Sequence, residues 1–218
     1  MRRAGSDESE RRAQSPTTTA TPPKGHPVPN LVLYTLMSLD GATEDPHRYF
    51  PETGDGHGAP VFDEDLARHE AEMLARQSTV LLGRTTYDEW SRYWPTSDEQ
   101  PFADFINAAP KYVVTSKPLA GDWEHAHAVS GPLTAIVADL KARSDGDIGV
   151  HASITLAKSL LAEGLLDELC LAVGRVLDPV GPRLFEGLPD RRELELLEAA
   201  RTSSGSVWLR YGLGTTPA

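Results

Sequence analysis

The chain has 218 residues, 39% of them apolar and 24% charged, the make-up of an ordinary globular domain. Its 21 Lys and Arg face 32 Asp and Glu, and a net charge of −11 argues against a nucleic-acid backbone as the main partner. No apolar run approaches the ~18 residues needed to cross a bilayer, and the single Cys170 excludes an internal disulfide or a Cys-rich metal cluster.

Residues 1–29 read as a disordered tail. They hold five prolines and scattered small apolar side chains, too little to offset the entropy of ordering the backbone. Arg2-Arg3 and Arg11-Arg12 lack the apolar stretch of an export signal, so the expected compartment is cytoplasmic. The tail carries a net +2, which leaves −13 on residues 30–218, the expected folded domain.

Leu31–Met37 is a continuous apolar run, the pattern of a strand covered on both faces. Ser38-Leu39-Asp40-Gly41 ends it and enters a long polar segment, residues 42–60, read as a lid with a flexible Gly54-Asp55-Gly56-His57-Gly58 stretch. Asp63 is placed to cap a helix running to about Gln77, with Leu66, Ala67, Glu70, Met73 and Leu74 near one stripe.

Val80–Leu82 is a second buried strand, followed directly by Gly83-Arg84-Thr85-Thr86-Tyr87 opening a helix. A helix N-terminus presents unpaired N–H groups and partial positive charge, which suit a phosphate; Arg84 adds a cationic fork. A plain glycine turn before a capped helix competes with that reading. Tyr112–Val114 is a third strand, with Thr115-Ser116-Lys117-Pro118 at its carboxyl end, where ligands of open α/β sheets gather. His125-Ala126-His127 would place two imidazoles on one face of a strand, but no third ligand is evident and no metal is expected.

Leu133, Ile136, Val137 and Leu140 repeat at helical spacing behind Pro132, and Ile148–Val150 is a fourth buried run. His151-Ala152-Ser153-Ile154-Thr155 is another strand-to-helix junction, with Ser153 either a plain N-cap or part of an anion site. That helix carries Leu156, Leu160 and Leu161 and ends at Gly164. Leu169–Val173 is a fifth buried strand, in which Cys170 is a small core residue. Leu194–Ala200 and Val207–Leu213 read as two strands joined by a hairpin-like turn at 202–206. Strand and helix alternate, so the class is α/β, with antiparallel strands at the C-terminal edge of a mostly parallel sheet.

The motifs at 38–41, 82–87 and 113–116 resemble the dihydrofolate reductase superfamily in order and placement. Ala157–Leu169 and Gly181-Pro182-Arg183-Leu184-Phe185 are similar to the reductase domain of the riboflavin-biosynthesis deaminase-reductase and its stand-alone bacterial relatives. The likeness spans about residues 30–213, with no zinc deaminase motif before it. It implies a three-layer α/β/α fold with a mixed sheet of about eight strands and NADPH lying across the strand ends.

It further implies that Gly83, Arg84, Thr85 and Thr86 form the phosphate-binding turn, and that Thr115, Ser116 and Lys117 lie near the adenosine and its 2′-phosphate. Ala152, Ser153, Ile154 and Thr155 match the pyrophosphate junction, where Ala152-Ser153 replaces the family's glycine pair. Ser38, Asp40 and Gly41 would border nicotinamide and substrate, Phe185 would join the pocket, and Asp40 and Asp65 are the candidates for orienting substrate or relaying a proton. Arg175 and Asp178-Pro179 also depart from the family's usual residues. The implied activity is hydride transfer to a small pyrimidine- or pterin-like heterocycle, as in 5-amino-6-(5-phosphoribosylamino)uracil reductase, by a homodimer. A nucleotide-binding module without catalysis is the alternative.

Overall fold

A computed structural model describes residues 28–50 and 62–214 of the chain. Most of the tail, the Gly54–Gly58 stretch and most of the expected lid lie outside those residues. The strands are β1 (Leu31–Met37), β2 (Gln77–Gly83), β3 (Lys111–Val114), β4 (Ala126–Val129), β5 (Asp147–His151), β6 (Glu168–Val173), β7 (Glu195–Arg201) and β8 (Val207–Gly212). The helices are α1 (Pro46–Tyr49), α2 (Glu64–Leu74), α3 (Arg84–Tyr93), α4 (Phe102–Ala108), α5 (Leu133–Arg143) and α6 (Ile154–Ala162).

The strands form one sheet in the order β4-β3-β2-β5-β1-β6-β8-β7, parallel from β4 to β6 and antiparallel at β8 and β7. This is the expected mixed sheet. The continuous apolar runs belong to central strands buried on both faces. Leu31, Leu33, Leu81, Ile148, Val150, Leu169 and Leu171 pack under α5 and α6. On the opposite face, Val32, Tyr34, Cys170, Ala172 and Trp208 pack under α2, while Val80, Leu82 and Val113 pack under α3 and α4. Among the described residues, no helix is long and apolar enough to cross a membrane.

The connections explain where a crevice opens. β1 leads through α2 on one face to β2, whereas the neighbouring β5 leads through α6 on the other face to β6. Their chains therefore part company at the carboxyl edge, the place where open α/β sheets bind ligands. The last pair of the β1–β5 ladder is Tyr34 with His151, although β1 continues to Met37 beside β6.

Several expectations need correction. The helix from Asp63 ends at Leu74, and Gln77 already belongs to β2, paired with Asp147. Pro132 is the residue before the first helical turn of α5 rather than within it. His125 lies before β4 with φ of +60°, so strand alternation does not reach it, and only His127 is in the strand, against the Tyr112 ring at 5.4 Å. The polar segment after β1 contains α1, whose Asp45 side chain accepts from His47 N. Gly164, at φ of +68°, follows α6 in the left-handed conformation that helix ends demand.

Candidate active site at the carboxyl edge of the sheet

Three turns meet above β3, β2 and β5. The Ser153 hydroxyl accepts a hydrogen bond from Gly83 N at 2.8 Å and lies 2.9 Å from Thr86 Oγ1, which in turn accepts from Ser153 N at 3.2 Å. The expected capping role of Ser153 is thus not realised: its side chain makes no bond to the α6 backbone. Ala152 and Ser153 both sit at positive φ, +47° and +49°, a conformation costly for non-glycine residues and held here by the Gly83 and Thr86 bonds. The Ala152–Ser153 bond is trans; the cis peptide among the described residues is Gln100–Pro101. A Cβ at Gly83 would lie 3.4 Å from the Ser153 hydroxyl, an ordinary contact, so space alone does not demand glycine there.

Arg84 is not a free cationic fork. Its Nε lies 2.8 Å from both Asp88 carboxylate oxygens, and its Nη1 donates to Pro118 O at 2.9 Å, so it fastens the turn after β3 to the start of α3. Thr115 accepts from Lys117 N through its hydroxyl and shapes that turn, leaving Ser116 and Lys117 exposed. The arrangement brings the first turns of α3 and α6 side by side with exposed Thr85 and Thr155. Two helix N-termini, with Lys117 on the adjoining turn, are suited to the phosphates of a dinucleotide. Thr86 and Ser153 are joints beneath that surface, each buried and satisfied by the other.

The turn after β1 is built around Asp40. Its Oδ1 accepts from the Ser38 hydroxyl at 2.7 Å and from Asp178 N at 2.9 Å, and its Oδ2 accepts from Arg183 Nη2 at 2.7 Å. The Asp178 amide and the Ser38 hydroxyl, with Arg183 beyond them, hold the carboxyl down to about 2. Ser38 is fully buried and also accepts from Ala42 N, while Gly41 takes φ of +87° to close the turn and accepts from Leu184 N. Asp178, one of the departures from the family, has a reason: buried, it receives Arg48 at 2.7 and 2.8 Å while its amide serves Asp40. Phe185 follows directly and is 38% exposed.

Asp65 is placed elsewhere. Its carboxylate accepts from Ser203 N at 2.9 Å, and Asp63 accepts from Ser204 N, so the first turn of α2 grips the turn between β7 and β8. Two acids spaced two apart match two hairpin amides; neither acid faces the Gly83–Ser153 joint. The candidates for proton chemistry, Asp40 and Asp65, are both committed to backbone partners.

Residues 29–208 match the RibD C-terminal domain family. The chain belongs to that family. It is 26% identical over 155 residues to the uncharacterized protein YyaP of Bacillus subtilis, covering 69% of this chain and 81% of that one. Its fold is similar to that of a Thermotoga maritima diaminohydroxyphosphoribosylaminopyrimidine deaminase/5-amino-6-(5-phosphoribosylamino)uracil reductase. The TM-score is 0.60 at 17% identity, over 85% of this chain and 56% of that one. A dihydrofolate reductase from Enterococcus faecalis, complexed with NADP(H) and RAB-propyl, is similar with a TM-score of 0.56 at 14% identity, over 85% and 96% of the two chains. The sheet and its connections are therefore those of dihydrofolate reductase-like folds.

Sequence reasoning missed two buried polar groups on the α2 side of the sheet, Glu70 and His151. The signals were available: Glu70 is a carboxylate inside the apolar stripe of α2, and His151 follows a buried strand without a break.

Proposed function

We propose that this member of the RibD C-terminal domain family is an NADPH-dependent reductase acting on a C=N or C=O bond of a small pyrimidine- or pterin-like heterocycle. Substrates related to 5-amino-6-(5-phosphoribosylamino)uracil head the candidates. What supports the reading most is the Gly83–Ser153 joint, which sets two helix N-termini side by side at the edge where the connections of β1 and β5 diverge.

The bound nicotinamide supplies hydride, and the chain supplies placement. Backbone N–H groups at the starts of α3 and α6, with Thr85 and Thr155, would hold the phosphates, and Lys117 on its exposed turn would favour a 2′-phosphate. Arg84 holds the turn of residues 115–118 in place for that contact. Asp40, an ionised carboxylate locked by Ser38 and Arg183, fixes the 38–41 turn against which nicotinamide and substrate would lie. The cytoplasm is the compartment this chemistry implies.

Fluorescence titration tests the reading. NADPH should bind more tightly than NADH, and Lys117→Ala should remove the preference. Consumption of NADPH with a pyrimidine or pterin probe then marks the enzyme. Binding without turnover would favour the second reading, a nucleotide-binding module, for which the commitment of Asp40 and Asp65 to backbone amides speaks.

The working assembly in this proposal is a homodimer joined through β7, an edge strand on which Leu196 and Leu197 are exposed, with Leu194 just before it. Sedimentation should give twice the chain mass, and Leu196→Lys should return the monomer.

A further inference from the structure

Beyond the Gly83–Ser153 joint, the carboxyl ends of β1 and β6 run into two turns, residues 38–43 and 174–186, that are laced together. Leu39 N donates to Val176 O at 2.8 Å, Leu184 N to Gly41 O at 3.0 Å and Thr43 N to Pro182 O at 3.2 Å. So joined, the turns leave large apolar side chains in water. Leu39 is 66% exposed, Leu177 69%, Val180 56% and Phe185 38%. One exposed leucine is ordinary, but four apolar side chains on two bonded turns at the carboxyl edge mark a contact surface.

The charges around this surface fix what it does not receive. The two turns and α1 carry Asp40, Glu44, Asp45, Asp178 and Glu186 against Arg48, Arg175 and Arg183. Arg48 is spent on both oxygens of Asp178, and Arg183 on Asp40 and the carbonyls of Asp178 and Gly181. Arg175 extends over the β7–β8 turn, its Cδ 3.7 Å from where a Cβ on Gly205 would stand. A cavity of about 200 Å³ opens between α1 and the second turn, lined by Glu44, Asp45, Arg48, Tyr49, Asp178 and Val180. Among the described residues the Glu44 carboxylate meets no donor, and residues 51–61 contain no Lys or Arg. Lys117, the exposed cation suited to the cofactor, lies on the turn after β3, three strands away from β1. A phosphate needs a cation with donors to spare, and here it would meet carboxylates.

We propose that the substrate of this site is a phosphate-free, uncharged heterocycle whose apolar substituent lies on Leu39, Leu177, Val180 and Phe185. The inference rests on the reductase reading above and narrows it. Of the substrates related to 5-amino-6-(5-phosphoribosylamino)uracil, those without the phosphate fit. The division of labour follows the order of the strands. Phosphates of the dinucleotide go to α3 and α6 over β2 and β5, and the substrate goes past the nicotinamide to the ends of β1 and β6. Specificity then has two parts: burial of the substituent supplies affinity, and the carboxylates turn a phosphate away.

The test follows NADPH consumption by wild type and Leu177→Lys with three probes. These are 5-amino-6-(5-phosphoribosylamino)uracil, its dephosphorylated form and a dimethyl-dihydropterin. NADPH binding is titrated separately by fluorescence, and the assembly state is read by sedimentation. For wild type, kcat/KM should be about tenfold higher with the two phosphate-free probes than with the phosphorylated one. Leu177→Lys, at a well-exposed position, supplies the cation the surface lacks. It should narrow that ratio to about threefold, raise KM for the dimethyl-dihydropterin and leave NADPH affinity unchanged. Equal or better use of the phosphorylated probe by wild type, or an unchanged ratio in Leu177→Lys, overturns the inference while leaving the reductase reading standing. So does a Leu177→Lys chain that sediments as a monomer where wild type is a dimer, since the surface would then belong to a second copy. Failure to bind NADPH, or binding without turnover of any probe, overturns both.

Discussion

The Ser153 hydroxyl takes the amide proton of Gly83 at 2.8 Å, so the side chain that replaces a family glycine has become the bolt between two strand ends. A hydroxyl at this position holds β2 to β5 and, through Thr86, fixes α3 against α6. The left-handed backbone that two glycines would adopt freely is here imposed on Ala152 and Ser153 by these bonds. The departure from the family pattern is thus accommodated within the joint itself.

Ser153→Ala removes that bolt and leaves the part-buried Gly83 amide without its acceptor, while the Thr86 hydroxyl keeps only the bond from the backbone amide of residue 153. Denaturant unfolding should show a loss of about 1–3 kcal/mol. NADPH affinity should fall about tenfold if the spacing of the two helix N-termini sets it. Ser153→Thr should retain more of both than Ser153→Ala.

Asp40→Asn acts on the loop rather than on chemistry. The carboxylate, held down to about 2, supports the Ser38, Asp178 and Arg183 bonds at every pH above its ordinary value near 3.8 and loses them as pH falls toward 2. In the variant, residues 176–184 should exchange amide hydrogens faster, while β1 and β5 keep their protection. Unchanged exchange would show that Arg48 and Asp178 suffice to hold the loop.

Glu70 and His151 pull stability in opposite directions with pH. Glu70 binds its proton more tightly folded than unfolded, so its contribution falls as pH rises from about 4.5 to about 7, by about 3 kcal/mol. His151 is kept neutral by burial, so its contribution falls as pH drops from about 6.5 toward 3. Between about 4.5 and 6.5 the two nearly offset one another. Glu70→Gln should unmask this: relative to wild type it gains stability as pH rises toward 7, measured by urea unfolding across that range.

Gly149→Ala should be among the most damaging single-methyl additions. A Cβ there would collide with the Gln77 amide and the His151 ring, which cross over β5 at this point. Expelling either side chain breaks the Gln77–His151 bond inside the core. A loss of about 3 kcal/mol in a melting experiment is expected, against a small change for Gly214→Ala, where open space surrounds the added carbon and φ is not positive.

The fold was largely legible because its central strands are buried on both faces. Runs such as Leu31–Met37 and Leu169–Val173 admit few other readings. α4 is not legible in the sequence, a short helix between Pro101 and Pro110, and β4 is only half legible, since His125 just before it breaks alternation with a positive φ. At the site, the glycine-to-helix junctions announced themselves, yet the atoms each residue spends could not be read in advance. Arg84 looks like an anion fork until Asp88, one helical turn on, and the Pro118 carbonyl engage it. Asp65 looks like a candidate acid until the hairpin at Ser203 folds back onto it. Both outcomes depend on contacts that only tertiary packing creates. Glu70 was placed on the right stripe of α2, but a charge among apolar positions carried more meaning than the stripe itself.

Amide chemical-shift mapping during NADPH titration tests the central claim most directly. Residues Arg84, Thr85, Lys117, Ile154 and Thr155 should shift most, in one saturable event, with Asp65 and the β7–β8 turn unaffected. Saturable binding whose shifts lie away from the starts of α3 and α6, or no binding at all, would contradict the account.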